Sequence, residues 1–252
     1  MRKFGVCHLS VAPLRAEPSD RSEIISQILF GEAFEILEEQ VKWTKIRCIW
    51  DDYEAYIDVK QYKLVDERTA NHTLKSKLLL SPIAQIEHQK TLQHISIASN
   101  IDPFLNDVYD FKLLKSDVFS VQNDNKLNVE ELTIKWLGTP YLWGGRSIFG
   151  LDCSGYVQVV FKFFGHALPR DAYQQAELGD TINFIQEAQA GDLAFFDNDE
   201  GKIIHVGIVL SEQRIIHASG EVRIDKLDHQ GIFNEDIQRY THHLRIIKRL
   251  KL

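Results

Sequence analysis

Three cysteines in 252 residues are too few, and odd in number, for a disulfide-stapled scaffold, so reduced thiols are the expectation. The chain also lacks any Cys-x-x-Cys or His-x-x-x-His pair, the local spacing on which small zinc sites are built. No apolar run approaches the length of a membrane span. With 29 Lys+Arg against 36 Asp+Glu the net charge is -7, and the basic residues are dispersed, which leaves no electrostatic footprint for nucleic acid. Exact repeats and low-complexity tracts are absent. At the N-terminus two basic residues are followed by His8, Ser10 and Pro13, which interrupt any apolar stretch; this predicts no signal peptide and a cytoplasmic chain. What is present is a 44% hydrophobic composition, enough to bury a core and to build more than one domain.

The chemistry is concentrated around Gly150-Leu-Asp-Cys-Ser-Gly-Tyr156. From there Cys153, Val157, Val160, Phe161 and Phe164 recur at helical spacing, with Asp152 as N-cap and Gly165 just past the end. Cys153 then occupies the first helical position, where unpaired N–H groups and the positive end of the dipole favour a thiolate. Downstream, His205 lies in Ile203–Leu210 and His217 in Arg214–Ala218, two strand-like runs separated by Ser211-Glu212-Gln213. A hairpin centred on residue 211 sets Val209 opposite Gln213, Gly207 opposite Ile215 and His205 opposite His217, with the two histidine Cβ atoms roughly 5 Å apart. A nucleophile at a helix start opposite a base and its orienter is the arrangement of nucleophilic catalysis. A lone buried Cys is more often a small hydrophobe, and a lone strand His an ordinary packed residue. Here Cys153 has polar and small neighbours, and Gly207 and Gly220 leave room beside each His. Zinc held by Cys153, His205 and His217 is the other reading of the trio.

Along the chain, residues 1–65 read as short strands joined by turns, which suggests a small β-barrel, with Cys7 and Cys48 in its core. Val6 to Leu14 alternates; Ile24–Leu29, Ala33–Leu37 and Trp43–Trp50 follow, and Asp51-Asp52 turns into Tyr53–Val59. Residues 66–77 are polar and read as a linker, and 78–120 carry further strand-like pieces without obvious chemistry. Asn128-Val-Glu-Glu131 opens a helix that Gly138 closes, Leu168-Pro-Arg-Asp171 precedes a short helix, and strands follow at 193–196, 203–210, 214–218, 222–227 and 244–251. Helices before a run of antiparallel strands make this half α+β.

Six segments, in order, resemble the NlpC-type papain-like cell-wall peptidases: Pro140-Tyr-Leu-Trp-Gly-Gly145, Leu151-Asp-Cys-Ser-Gly155, Leu168-Pro-Arg-Asp171, Ala190-Gly-Asp-Leu-Ala-Phe-Phe196, His205-Val-Gly-Ile208 and His217-Ala-Ser219. Trp43 with Asp52-Tyr53-Glu-Ala-Tyr-Ile57 is similar to a bacterial SH3-like domain, although Ala55 and Tyr56 stand where such domains carry Gly and Trp. The resemblance implies an SH3-like domain over 1–65, a linker and possible second, degenerate SH3-like module over 66–125, and a papain-like peptidase domain over 126–252. It implies Cys153 as nucleophile, His205 as base and His217 as the polar third member, acting through an acyl-enzyme without a cofactor. It offers Tyr141 as a second oxyanion donor beside the Cys153 N–H. The implied substrates are peptidoglycan-derived peptides cut between γ-D-glutamate and a diamino acid, short ones with free N-terminal L-alanine in members with SH3-like domains. For that ammonium the candidates are Asp152 and Tyr53, with Glu17 a weaker one; Ser154 and Asp171 are further substrate-binding candidates, and Ala172 departs from the small polar residue common after Asp171. Another thiol amidase or acyltransferase on the same fold, and a non-catalytic wall-binding protein, are the alternatives.

Overall fold

The computed structural model describes residues 2–101, 110–119 and 127–251. In the first 65 residues alternation dictates the layout. Along Trp43–Cys48 and Glu54–Asp58, Thr44, Ile46, Cys48, Ala55 and Ile57 point inward while Lys45, Arg47 and Glu54 point out, with Ile46 opposite Ala55. Asp52, at a positive φ of 56°, makes the turn between them. Seven strands pair in the order Ile24–Leu29, Val11–Arg15, Glu54–Asp58, Trp43–Cys48, Ala33–Glu39, Lys3–Cys7 and Tyr62–Val65. They form the SH3-like barrel around Cys7, Leu14, Ile28, Phe34, Ile46 and Ile57. The alternating stretch 6–14 is not one strand: it breaks at His8–Ser10, so that Lys3–Cys7 pairs with Ala33–Glu39 and Val11–Arg15 with Ile24–Leu29.

The polar stretch after the barrel carries a helix, Glu67–His72, because Asp66 caps it by accepting from the Thr69 N–H at 2.7 Å. Beyond it lie two small three-stranded sheets, one of Ile83–His88 flanked by Thr91–Ser96 and Lys112–Leu113, the other of Lys77–Leu79 flanked by Asn100–Ile101 and Val118–Phe119. Parts of the possible second module, 102–109 and 120–126, fall outside the described residues.

In the second half, helix Cys153–Lys162 packs on a seven-stranded antiparallel sheet, which makes the protein α+β and papain-like. The expected strands are present. Two were not legible, Asp180–Ile182 and Gly231–Asn234, and the last strand starts earlier than expected, at Arg239. All ten residues of the helix are buried. Val157, Val160 and Phe161 join Leu193, Phe195, Val206 and Ile208 of the sheet in one core. The polar residues Ser154, Gln158 and Lys162 recur every fourth position, so they form one stripe, and that stripe faces the first domain. Lys162 Nζ bonds Glu32 at 2.7 Å, Gln158 bonds Asp51 at 2.9 Å, and Ser154 bonds Arg170, which in turn reaches Ser26 at 3.1 Å. Arg146 completes the seam with bonds to both Glu32 oxygens, 3.0 and 3.2 Å, and to the Gln27 carbonyl at 2.8 Å. Gly144 allows the close approach: a Cβ there would sit 2.2 Å from the Ile24 carbonyl oxygen.

Burial alone would raise the Glu32 pKa, but Arg146 and Lys162 overrule it and hold the carboxyl down at about 2. Its ordinary value is 4.5, so the stability it contributes is complete above that pH and is lost as pH falls toward about 2. At pH 7, Glu32→Gln leaves two buried cations short of a partner and should destabilise the protein by about 3–5 kcal/mol in urea unfolding. A loss under about 1 kcal/mol would show that the seam carries no weight.

Candidate active site

The site begins with the N-cap. Asp152 accepts from the Gly155 N–H at 2.7 Å and places Cys153 at the first helical position, as its sequence context requires. Cys153 is 7% exposed and lines a cleft of about 510 Å³ whose walls come from both halves of the chain, including Glu23, Tyr53, Tyr141, Trp143, Asp171 and Tyr173. Its sulfur is near the Val206 backbone N–H, one residue from His205, and this N–H favours the thiolate. That help is outweighed. Burial, then the Asp152 charge, push the Cys153 thiol up to about 11. Burial, with His217 and His242 beside it, pushes His205 well below its ordinary value. Burial thus works against the thiolate that the helix start favours, and against an imidazolium at His205.

The two histidines meet, but not in the expected register. Gly207 faces His217, and Leu210 faces Arg214. The connection is a three-residue loop, 211–213, in which Glu212 and Gln213 take positive φ of 59° and 54°; the hairpin is therefore centred one residue later than expected. His205 and His217 stay on the same face because the shift moves every pair by two, and they lie on a diagonal. Their rings still reach, with His205 Nε2 and His217 Nδ1 2.9 Å apart. His217 Nε2 lies 3.0 Å from Asp225 Oδ2, and Arg223 holds Asp225 with Nε and Nη2 at 2.7 and 2.9 Å. Asp225 was not singled out in the sequence. The legible signal is parity: Asp225 shares the inward face with Leu227, an unusual place for an acid.

His242 was also missed. Its ring stacks on His205 with centroids 4.1 Å apart and planes 25° apart. The His205, His217 and His242 nitrogens lie within 4.8 Å of one another. Stacked, nearly parallel rings do not aim their in-plane lone pairs at a common point, so this trio is not arranged to hold an ion. Cys153 is not part of it.

The other sequence candidates divide. Tyr141 lines the cleft, and burial and then Cys153 push its phenol up to about 12, which puts its hydroxyl in the field of the nucleophile. Tyr53 reaches the same cleft from the barrel; burial and then the Asp171 charge push it up to about 12. Asp171 is half-buried, and desolvation raises its pKa despite Arg170. Asp152 and Ser154 line the cleft too, but the Asp152 oxygens already accept from the Gly144 and Gly155 N–H groups and from Arg170, and Ser154 from Arg170. Glu17 is exposed and is not a lining residue; Glu23, across the same loop, lines the cleft and accepts from Trp143 Nε1 at 2.6 Å.

Comparison with known proteins agrees with this geometry. Residues 138–241 match the NlpC/P60 family and residues 14–61 the bacterial dipeptidyl-peptidase SH3 domain. The chain is similar to the gamma-D-glutamyl-L-lysine dipeptidyl-peptidase of Bacillus subtilis, 30% identical over 77% of this chain and 72% of that one. It is similar to dipeptidyl-peptidase 6 of Lysinibacillus sphaericus, 26% identical over 90% of this chain and 93% of that one. The crystal structure of an NlpC/P60 family protein from Bacillus cereus superposes with a TM-score of 0.78 over 98% of this chain and 99% of that one, at 20% identity, and so shares the fold.

The burial of the nucleophile has a measurable consequence. The rate at which iodoacetamide alkylates Cys153 should climb with pH and still be climbing at pH 9, because burial pushes the thiol up to about 11. Cys7, pushed to about 12, and Cys48, pushed up further by burial, should stay unlabelled in the folded protein. A rate that levels off below neutrality would mean a preformed thiolate–imidazolium pair instead.

Proposed function

The chain belongs to the NlpC/P60 family of cysteine peptidases, and from that premise we propose that it cleaves the bond between γ-D-glutamate and a diamino acid in short peptidoglycan stem peptides whose N-terminal L-alanine is free. The observation that carries the finer reading is that the barrel supplies part of the cleft wall. Glu23 and Tyr53 of the barrel line it with Asp171 of the second domain, whose charge acts on Tyr53. A desolvated carboxylate with a raised pKa favours a cation beside it, and a free α-ammonium at one end of a short substrate is such a cation. An acylated alanine would bring a neutral amide and extra bulk against the same wall.

In this reading His205 takes the proton of Cys153 as the sulfur attacks the γ-carbonyl carbon. The oxyanion meets the Cys153 N–H at the helix start and the Tyr141 hydroxyl. The tetrahedral adduct collapses to a thioester as His205 returns the proton to the departing amine of the diamino acid. Water, deprotonated by His205, then opens the thioester and releases L-alanyl-D-glutamate. His217 keeps the His205 ring oriented throughout.

The direct test is mass spectrometry of the protein incubated with L-Ala-γ-D-Glu-diaminopimelate and L-Ala-γ-D-Glu-L-Lys, each beside its N-acetylated form. Release of the diamino acid from the free peptides alone is expected; equal cleavage of the acetylated ones would sink the free-ammonium reading. Tyr53→Phe removes one hydrogen bond to a charged amine, about 1.5–3 kcal/mol, and should lower kcat/KM for the free peptide about 10- to 100-fold. The acetylated peptide, already poor, should change little.

His205→Ala should nearly abolish turnover, while His217→Asn should retain part of it, since an amide can still orient an imidazole. A His217→Asn variant that is folded and as inactive as His205→Ala would show that His217 does more than orient.

A further inference from the structure

The hydrogen bonds behind His205 run in one direction only. Asp225 is 5% exposed and His217 1% exposed, so neither exchanges its partner for water. Burial works against the Asp225 charge, but His217 and Arg223 overrule it and keep the carboxyl ionised. A carboxylate only accepts. Its bond to His217 Nε2 at 3.0 Å is therefore made by an Nε2–H, which leaves Nδ1 as the His217 nitrogen that can accept. That nitrogen faces His205 Nε2 at 2.9 Å, so His205 must be the donor there, with its own proton on Nε2. The only ring nitrogen of His205 left with a lone pair is Nδ1. In the proposed reaction this is the atom that takes the Cys153 proton. With one proton on each ring, each step follows from the previous one by donor and acceptor count.

We propose that Asp225, braced by Arg223, is a positioning residue that sets the tautomers of His217 and His205 and so makes His205 Nδ1 the base. The bracing matters because Arg223 donates to both oxygens, Oδ2 and Oδ1, at 2.7 and 2.9 Å, so the carboxylate cannot swing away. Arg223 is itself tied to Asp236 at 2.7 Å. The carboxylate also answers the charge that appears in the reaction. When His205 gains its second proton, its Nε2–H still donates to His217 Nδ1 and His217 Nε2–H to Asp225, and the positive charge is met through His217 by a fixed negative one. The inference rests on His205 being the base, as in the function proposed above, but not on the identity of the peptide.

The test turns on the two ring tautomers, which a merely structural role would not move. In Asp225→Asn the amide oxygen takes the Oδ2 place, where Arg223 Nε and His217 Nε2 both donate, so the tautomers are kept while the negative charge is lost. Asp225→Ala removes the acceptor and leaves the His217 Nε2–H unanswered, so both rings are free to change tautomer. Turnover in Asp225→Ala should fall about 10²- to 10⁴-fold in kcat with KM little changed, and in Asp225→Asn it should fall less. Long-range nitrogen–hydrogen correlation spectra of the histidine-labelled protein should show both rings protonated on Nε2 in the wild type and in Asp225→Asn, and protonation on Nδ1 appearing in Asp225→Ala.

In a His217→Asn background, the Ala substitution at 225 should cost far less than in the wild type, because the ring it acts through is gone. Asp225→Ala spectra unchanged from the wild type, or wild-type spectra with His205 protonated on Nδ1, would overturn the proposal. Should Asp225→Ala keep full activity while His205→Ala has none, the base stands and the positioning role falls. Should His205→Ala remain active, it is the base assignment that fails.

Discussion

Everything in this molecule that depends on two domains acting together depends on one buried carboxylate. Glu32 sits in the barrel, 5% exposed, and meets two cations from the second half, Arg146 and Lys162. Three charges out of water cost several kcal/mol each unless they satisfy one another. Glu32 does this with both oxygens engaged and a backbone donor, the Leu29 N–H, at 2.9 Å. Sliding the barrel across the second domain would strand all three. The position of the barrel is thus specified far more tightly than apolar contact alone would specify it, and with it the positions of Glu23 and Tyr53 at the cleft.

That constraint explains why the helix bearing Cys153 is buried on every side although it carries Ser154, Gln158 and Lys162. An amphipathic helix normally turns its polar stripe to water. Here the stripe is covered by a second domain that brings Glu32 to Lys162 and Asp51 to Gln158, and reaches Ser154 through Ser26 and Arg170. The nucleophile therefore sits at the start of a fully enclosed element, and its environment is dry. Dryness raises the thiol pKa and lowers that of His205, against the pull of the helix start. The same dryness strengthens each hydrogen bond in the chain from His205 to Asp225. Proton transfer is then tied to substrate attack, when the charge that develops on sulfur and carbonyl oxygen has donors waiting for it.

The barrel has a second consequence, for selectivity. A papain-like cleft formed by one domain is open at both ends. In this protein Trp143 on the cleft loop bonds Glu23 of the barrel at 2.6 Å, and Gly144 lies against the Ile24 carbonyl, so the neighbouring domain supplies part of the cleft wall. The wall is polar and acidic. In the proposed reaction this wall would set the distance from the free ammonium to the scissile carbonyl, and so favour release of a dipeptide over cleavage within a longer strand.

Local patterns determined much by themselves. The N-cap at Asp152, the helical stripe after Cys153 and the alternation of the barrel strands are short-range signals, and the elements they dictate are present. Cys153, His205 and His217 were legible because their segments carry distinctive neighbours in a distinctive order. Tertiary structure alone decided the rest. The hairpin register depended on two left-handed loop residues, Glu212 and Gln213, and neither is a glycine that would have announced it. Asp225 and His242 join the site through strand pairing across the sheet, a long-range choice no local window contains. Glu23 rather than Glu17 reaches the cleft because of how the loop between two barrel strands closes. The stripe Ser154, Gln158, Lys162 was visible in the chain, but its meaning was not: a polar stripe reads as solvent-facing until a partner such as Glu32, some 130 residues away in sequence, is seen to cover it.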